Sequence, residues 1–97
     1  MSGAKGEALS ATSRPRLPRG VRLKHDDIRE EWLLLAPERV LKLDQIALAV
    51  LQRCDGERSL NDIVEDLARV YAADRSRIDA DVRAMLASLA EKRLLDL

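Results

Sequence analysis

The chain has no phenylalanine, one cysteine, one histidine and no excess charge of either sign, and each shortage excludes something. A lone Cys54 rules out an internal disulfide and suits a reducing compartment. No pair of His, Cys or carboxylate residues has the spacing of a metal site, and no Gly-rich phosphate loop is present, so neither metal nor cofactor is expected. The same poverty leaves no catalytic residues to name, and an enzyme is not expected. Lys plus Arg and Asp plus Glu number 17 each, giving zero formal net charge. A domain that lives on phosphate contacts normally carries a basic excess, which disfavours nucleic acid as a partner. The longest apolar run, Trp32 to Ala36, is far too short to cross a bilayer, and residues 1–14 hold no stretch of signal-peptide length. A cytoplasmic protein with no membrane partner is expected.

What is present is a patterned stretch after a plain leader. Residues 1–14 are rich in Gly, Ala and Ser, with Leu9 the only large apolar side chain, and read as a disordered tail or linker. Residues 15–97 form the domain. Val21 and Leu23 alternate with Arg22 and Lys24, as in a half-buried strand. The continuous run Trp32-Leu33-Leu34-Leu35-Ala36 reads as a central strand, and Pro37-Glu38 punctuates it. Arg39 to Leu43 alternates again, so the simplest reading is an antiparallel three-stranded meander.

The period then becomes helical. Ile46, Ala47, Val50, Leu51 and Cys54 form one stripe behind an Asp44 N-cap, and Asp55-Gly56 ends that helix. Ser59 with Asp62 suggests a shortened capping box for a second helix, whose stripe is Leu60, Ile63, Val64, Leu67, Val70 and Tyr71. Asp74 or Ser76 opens a third, with Ile78, Val82, Met85, Leu86 and Leu89 facing inward. Leu94, Leu95 and Leu97 can fold back onto the core. Three strands followed by a three-helix bundle make an α+β domain of winged-helix type.

Several groups bear on function. Cys54 continues a buried stripe, where a free Cys behaves as a small hydrophobe. His25 lies in a charged connection and reads as a surface residue. Arg14, Arg16, Arg19, Arg22 and Lys24 form a basic run, but acidic residues follow at once, and the third helix balances Arg75, Arg77 and Arg83 against Asp79, Asp81 and Glu91. That neutrality weakens the winged-helix DNA-reading alternative. If Leu33, Leu35, Leu41 and Leu43 face the helices, then Trp32, Leu34 and Val40 turn to the other face. They would form a partner or self-association surface there, or lie under the segment around Leu17 and Pro18.

The run Arg14-Pro15-Arg16-Leu17, Gly20 to Leu23 and Trp32 to Val40, followed by Leu43, Ile46-Ala47, Leu51, Cys54-Asp55-Gly56, Ile63-Val64, Tyr71, Asp81-Val82 and Leu89, resembles the PqqD family of pyrroloquinoline quinone biosynthesis. The Ala-Pro-Glu-Arg-Val turn and the Cys-Asp-Gly segment are its most specific parts. Asp44 and Ile46 depart from the family's usual Asn and small hydroxyl residue, and Asp keeps the capping chemistry. The resemblance implies a peptide chaperone that binds the precursor peptide PqqA and presents it to the radical SAM enzyme PqqE. It also implies a fusion to PqqC in some members, for which the leader would serve as linker. In such leader-recognition domains the peptide adds as a strand beside the third strand and rests on the third helix. Carried onto this chain, the groove is Arg39, Val40, Leu41, Lys42 and Leu43, with one flank of the helix bearing Ile78, Asp81, Val82, Met85 and Leu89. An edge strand supports this physically, because its outward N–H and C=O groups are unpaired.

Overall fold

The computed structural model describes residues 9–97. Three strands, β1 (Arg22–Asp26), β2 (Glu31–Ala36) and β3 (Arg39–Leu43), are followed by three helices, α1 (Gln45–Gln52), α2 (Leu60–Val70) and α3 (Arg75–Glu91). The sheet is antiparallel in the order β1-β2-β3, so β2 is central and β3 is an edge. Both hairpin turns have identifiable causes. Asp26 accepts hydrogen bonds from the amides of Ile28 (3.0 Å) and Arg29 (3.3 Å), which folds the first connection. Pro37 presets the second, and Glu38 follows at φ 66° to reverse the chain.

Helix starts follow the sequence. The Asp44 carboxylate accepts from the Ala47 amide at 2.7 Å, and Ser59 with Asp62 forms a complete capping box. Asp74 occupies the N-cap position of α3 without a side-chain cap. The end of α1 differs from expectation: the helix stops at Gln52 with Arg53 as cap, three residues before Gly56. Gly56 serves another purpose. Its φ is 82°, and a Cβ there would lie 3.3 Å from the Arg16 side chain. The Asp55 carboxylate beside it takes hydrogen bonds from the amides of Glu57 and Arg58, both 2.9 Å, which hold it below the usual Asp pKa. Cys-Asp-Gly is therefore a docking corner for the N-terminal segment rather than a helix stop.

That corner anchors the N-terminal segment. The carbonyls of Ala11 and Ser13 accept from the amides of Asn61 (3.0 Å) and Leu60 (2.7 Å), which have no partner within α2's first turn. Pro15 is buried, its carbonyl accepts from Gly56, and Arg16 exchanges two 2.9 Å backbone hydrogen bonds with Asp96. Leu9 packs against the core. Residues 9–14, read as tail from composition, are thus attached through Leu9, Ala11 and Ser13; the rest of that expected tail, residues 1–8, lies outside the described residues. Composition missed this because backbone groups, not apolar side chains, make most of the attachment.

The core joins Leu34 to Val50, Leu51, Leu60, Ile63, Val64, Leu67, Val82, Leu86 and Leu89, closed by the returning Leu94 and Leu95. Two assignments shift. Val70 and Tyr71 are exposed rather than buried, since α2's buried stripe ends at Leu67. In β2 the face is inverted. Leu34 is 1 % exposed and pairs across with Leu23 and Leu41, all three on the helix side. Leu33 and Leu35 are half-buried on the opposite face, in register with Lys24 and Lys42 and with Arg22 and Val40. Leu34 is therefore no partner surface. Trp32 shares its face at the sheet's far end, where His25 packs against it with ring centroids 5.1 Å apart. Leu17 also packs against the core, the side on which Leu34 lies.

Candidate functional site

The edge strand and a nearby cleft define the site. Along β3, every second residue directs its N–H and C=O away from β2, and no strand pairs with that side among the described residues. Asp44 follows at once and starts α1, which places Ile46 in the first turn beside the end of β3. Ile46 is 47 % exposed, although it belongs to α1's apolar stripe. It forms one wall of a cleft of about 120 Å³ whose other linings are Val50, Leu67, Tyr71, Ile78, Asp81, Val82 and Met85.

Three helices therefore converge next to the open strand. The first turns of α1 and α3 meet the C-terminal end of α2, and Tyr71, which caps α2, stands at the rim. Ile78, Asp81, Val82 and Met85 line the cleft together, one and two turns apart on a single face. Leu89 does not; it is buried in the core. Arg39, Val40 and Lys42 are exposed on β3, while Leu41 and Leu43 turn inward and are half-buried. Sequence reasoning missed Ile46, Val50, Leu67 and Tyr71 as linings. A signal was available in Val70 and Tyr71, which lengthen α2's apolar stripe beyond what one core face can cover.

The cleft's chemistry is simple. Its walls are aliphatic apart from the Tyr71 hydroxyl and the Asp81 carboxylate, and both residues are exposed. Such a space suits one apolar side chain, whose full burial contributes roughly 1.5–3 kcal/mol. Among the described residues, no group of three or more His, Cys, Asp or Glu residues could hold a metal ion. Burial, with the Asp55 charge as a smaller cause, pushes the Cys54 thiol up to about 12, and its Sγ donates to the Val50 carbonyl. It is packing, not a nucleophile. His25 Nδ1 lies 2.8 Å from Asp27 at the surface.

The basic run is dispersed by folding. Arg16 sits beside Asp96 at the C-terminal corner, whereas Arg22 and Lys24 lie on the sheet face away from the helices. On α3, Arg83 pairs with Asp79 at 3.1 Å and Arg75 reaches Glu65 at 3.3 Å. No described helix presents a clear basic face to a groove. No described helix is long and apolar enough to cross a membrane.

Comparison with known proteins decides the family. The model for coenzyme PQQ synthesis protein D (PqqD) matches residues 31–95, which span β2 through the C-terminal return. The chain belongs to the PqqD family. A PqqA binding protein of Bradyrhizobium diazoefficiens is 53 % identical over 95 residues, covering 98 % of this chain and 92 % of that one. Another PqqA binding protein, from Xanthomonas oryzae, is 52 % identical over 90 residues, covering 93 % and 98 %. The solution structure of the PqqD truncation of Methylobacterium extorquens PqqCD matches with a TM-score of 0.79 at 48 % identity, covering 93 % and 96 %. That protein is described as a functional, stand-alone recognition element for ribosomally synthesised, post-translationally modified peptides. The crystal structure of PqqD from Xanthomonas campestris gives 0.59 at 52 % identity, covering 92 % and 99 %. The α+β fold of three strands and three helices is thus the PqqD recognition-element fold.

Proposed function

We propose that this chain is a cytoplasmic peptide chaperone of pyrroloquinoline quinone biosynthesis, binding a PqqA-type precursor peptide and presenting it to the radical SAM enzyme PqqE. One observation carries the reading: the unpaired edge of β3 adjoins an apolar cleft, in a chain of a family whose relatives bind PqqA. The peptide adds as a fourth strand, with backbone hydrogen bonds to Arg39–Leu43 supplying affinity. One of its inward side chains fills the cleft between Ile46, Tyr71, Ile78 and Met85, which supplies selectivity. Val50, Leu67 and Val82 form the floor and Asp81 the rim. The protein carries the peptide and performs no chemistry on it. A fusion to PqqC, as in the Methylobacterium relative, is compatible with this role and not required by it.

Calorimetric titration with a PqqA-like peptide tests the reading. Saturable one-to-one binding is expected, weakened about tenfold by Met85→Ala, a loss of roughly 1.4 kcal/mol. Duplex DNA should bind no better than non-specifically, roughly 10⁻⁴ M or weaker at physiological salt. Sequence-selective micromolar DNA binding with no peptide uptake would replace the chaperone reading with the nucleic-acid one.

A further inference from the structure

The face of the sheet opposite the helices is open and has a defined composition. Leu33, Leu35 and Val40 form its aliphatic centre, and Val40 is 62 % exposed. Arg22 and Lys24 border them from β1, Lys42 from β3, and Asp26 with Glu31 lie at the far end. The negative charges are already engaged. Asp26 holds its own turn through two amides, and Glu31 pairs with Lys42 at 3.6 Å. Arg22 and Lys24 have no ion-pair partner among the described residues, and Leu33, Leu35 and Val40 are not among the side chains packed against the core. An aliphatic strip beside two unsatisfied cations complements a surface that offers apolar side chains ringed by carboxylates.

The geometry of strand addition says which protein would bring that surface. Side chains along a strand alternate between the two faces of its sheet. A peptide paired with β3 therefore sends one set toward the helical cleft and the other set to the outer face, beside Val40 and Lys42. Any protein seated on Leu33, Leu35 and Val40 would touch the bound peptide as well as the sheet. We propose that this outer face docks the peptide-modifying enzyme, through a carboxylate-ringed aliphatic patch on that enzyme. The inference rests on the chaperone reading above and adds a surface to it. The helix side holds the peptide; the outer face shares it.

The test uses the full chain with methyl-labelled Leu and Val, a PqqA-like peptide and the radical SAM enzyme PqqE as separate probes. Adding enzyme to the peptide-loaded chain should attenuate the methyl signals of Leu33 and Leu35 and spare those lining the cleft. The double variant R22E/K24E, at two exposed positions outside the peptide site, should lose at least tenfold in enzyme affinity while its peptide affinity stays within twofold. Attenuation confined to α3 or the N-terminal segment would overturn the proposal, as would unchanged enzyme affinity of R22E/K24E. So would attenuation of the same methyls by phosphatidylglycerol vesicles but not by enzyme. If the peptide fails to bind, the chaperone reading falls. The enzyme titration of the free chain then still decides whether this face is the docking surface.

Discussion

The two faces of β2 both present leucine and meet opposite fates. Leu34 is 1 % exposed in a core that draws on all three helices, while Leu33 and Leu35, its immediate neighbours, are half-buried and stand outside that core. The same leucine side chain on both sides means that the difference is one of context, and it separates what holds the domain together from what stays outside its core. The helix side spends its leucines on the core. The outer side keeps its leucines in a setting of Arg22, Lys24 and Lys42, whose long stems lie in register with them and whose charges favour water over self-association.

The sharpest way to break this comparison is truncation on each face. Leu34→Ala should cost about 2–5 kcal/mol, because a cavity opens among side chains that cannot all collapse into it. Leu35→Ala should cost less, about 1–2 kcal/mol, since Leu35 is only half-buried and lies outside the core. Urea denaturation of the two variants measures both. Equal losses would show that the outer face is structurally occupied after all.

A second contrast concerns the strand that both faces share. Val40 and Lys42 have one parity on β3 and Leu41 the other, so their amides point in opposite directions across the ladder. Proline removes a donor and is tolerated on an edge only where that donor faces outward. In a proline scan of the three, the variants that still melt cooperatively should lose peptide binding by at least a hundredfold in a titration. Lys42→Ala, which keeps the amide, should change it by no more than about fivefold, as exposed charges contribute about 0.2–1 kcal/mol. Normal binding by a folded proline variant would assign recognition to side chains alone.

The ion pairs extend the comparison at smaller scale. On the helix side, Asp66 takes a 2.6 Å hydrogen bond from Arg53, which, with weaker charge effects from Arg53 and Arg69, holds its carboxyl below the usual Asp value. A carboxyl with a depressed folded-state pKa adds stability that is complete above its unfolded value near 3.8 and is lost as pH falls toward the folded one. Acid titration of Asp66→Asn should therefore show a lower melting point at neutral pH and a shallower loss below pH 4 than the parent. Glu31→Gln, which breaks the exposed pair with Lys42 on the outer face, should stay within about 0.5 kcal/mol of the parent.

The sequence was informative wherever the period was regular. Alternation at Val21–Lys24 and Arg39–Leu43, the Asp44 cap, the Ser59–Asp62 box and the stripes of α1 to α3 all pointed to the element order observed. It was silent wherever periodicity vanishes. Trp32 to Ala36 is apolar at every position, so a two-residue period has no phase, and Leu33 and Leu35 were placed inward in Leu34's stead. The tail was misjudged for a different reason. Ala11, Ser13 and Pro15 are fastened through carbonyl oxygens, which leave no trace in hydropathy. The site was legible in part. Ile78, Asp81, Val82 and Met85 do share a flank, whereas Leu89 continues the same stripe inward, and Ile46 faces them only across the cleft.

The central claim is that the peptide is received by one edge of the sheet and not the other. Amide hydrogen exchange with and without a PqqA-like peptide tests it directly, because β1 and β3 are both edges and serve as each other's control. Alternate amides within Arg39–Leu43 should slow at least tenfold when peptide is bound, with those of Arg22–Asp26 unchanged. Protection appearing on β1 instead, or bound peptide with no slowing anywhere on β3, would contradict the account.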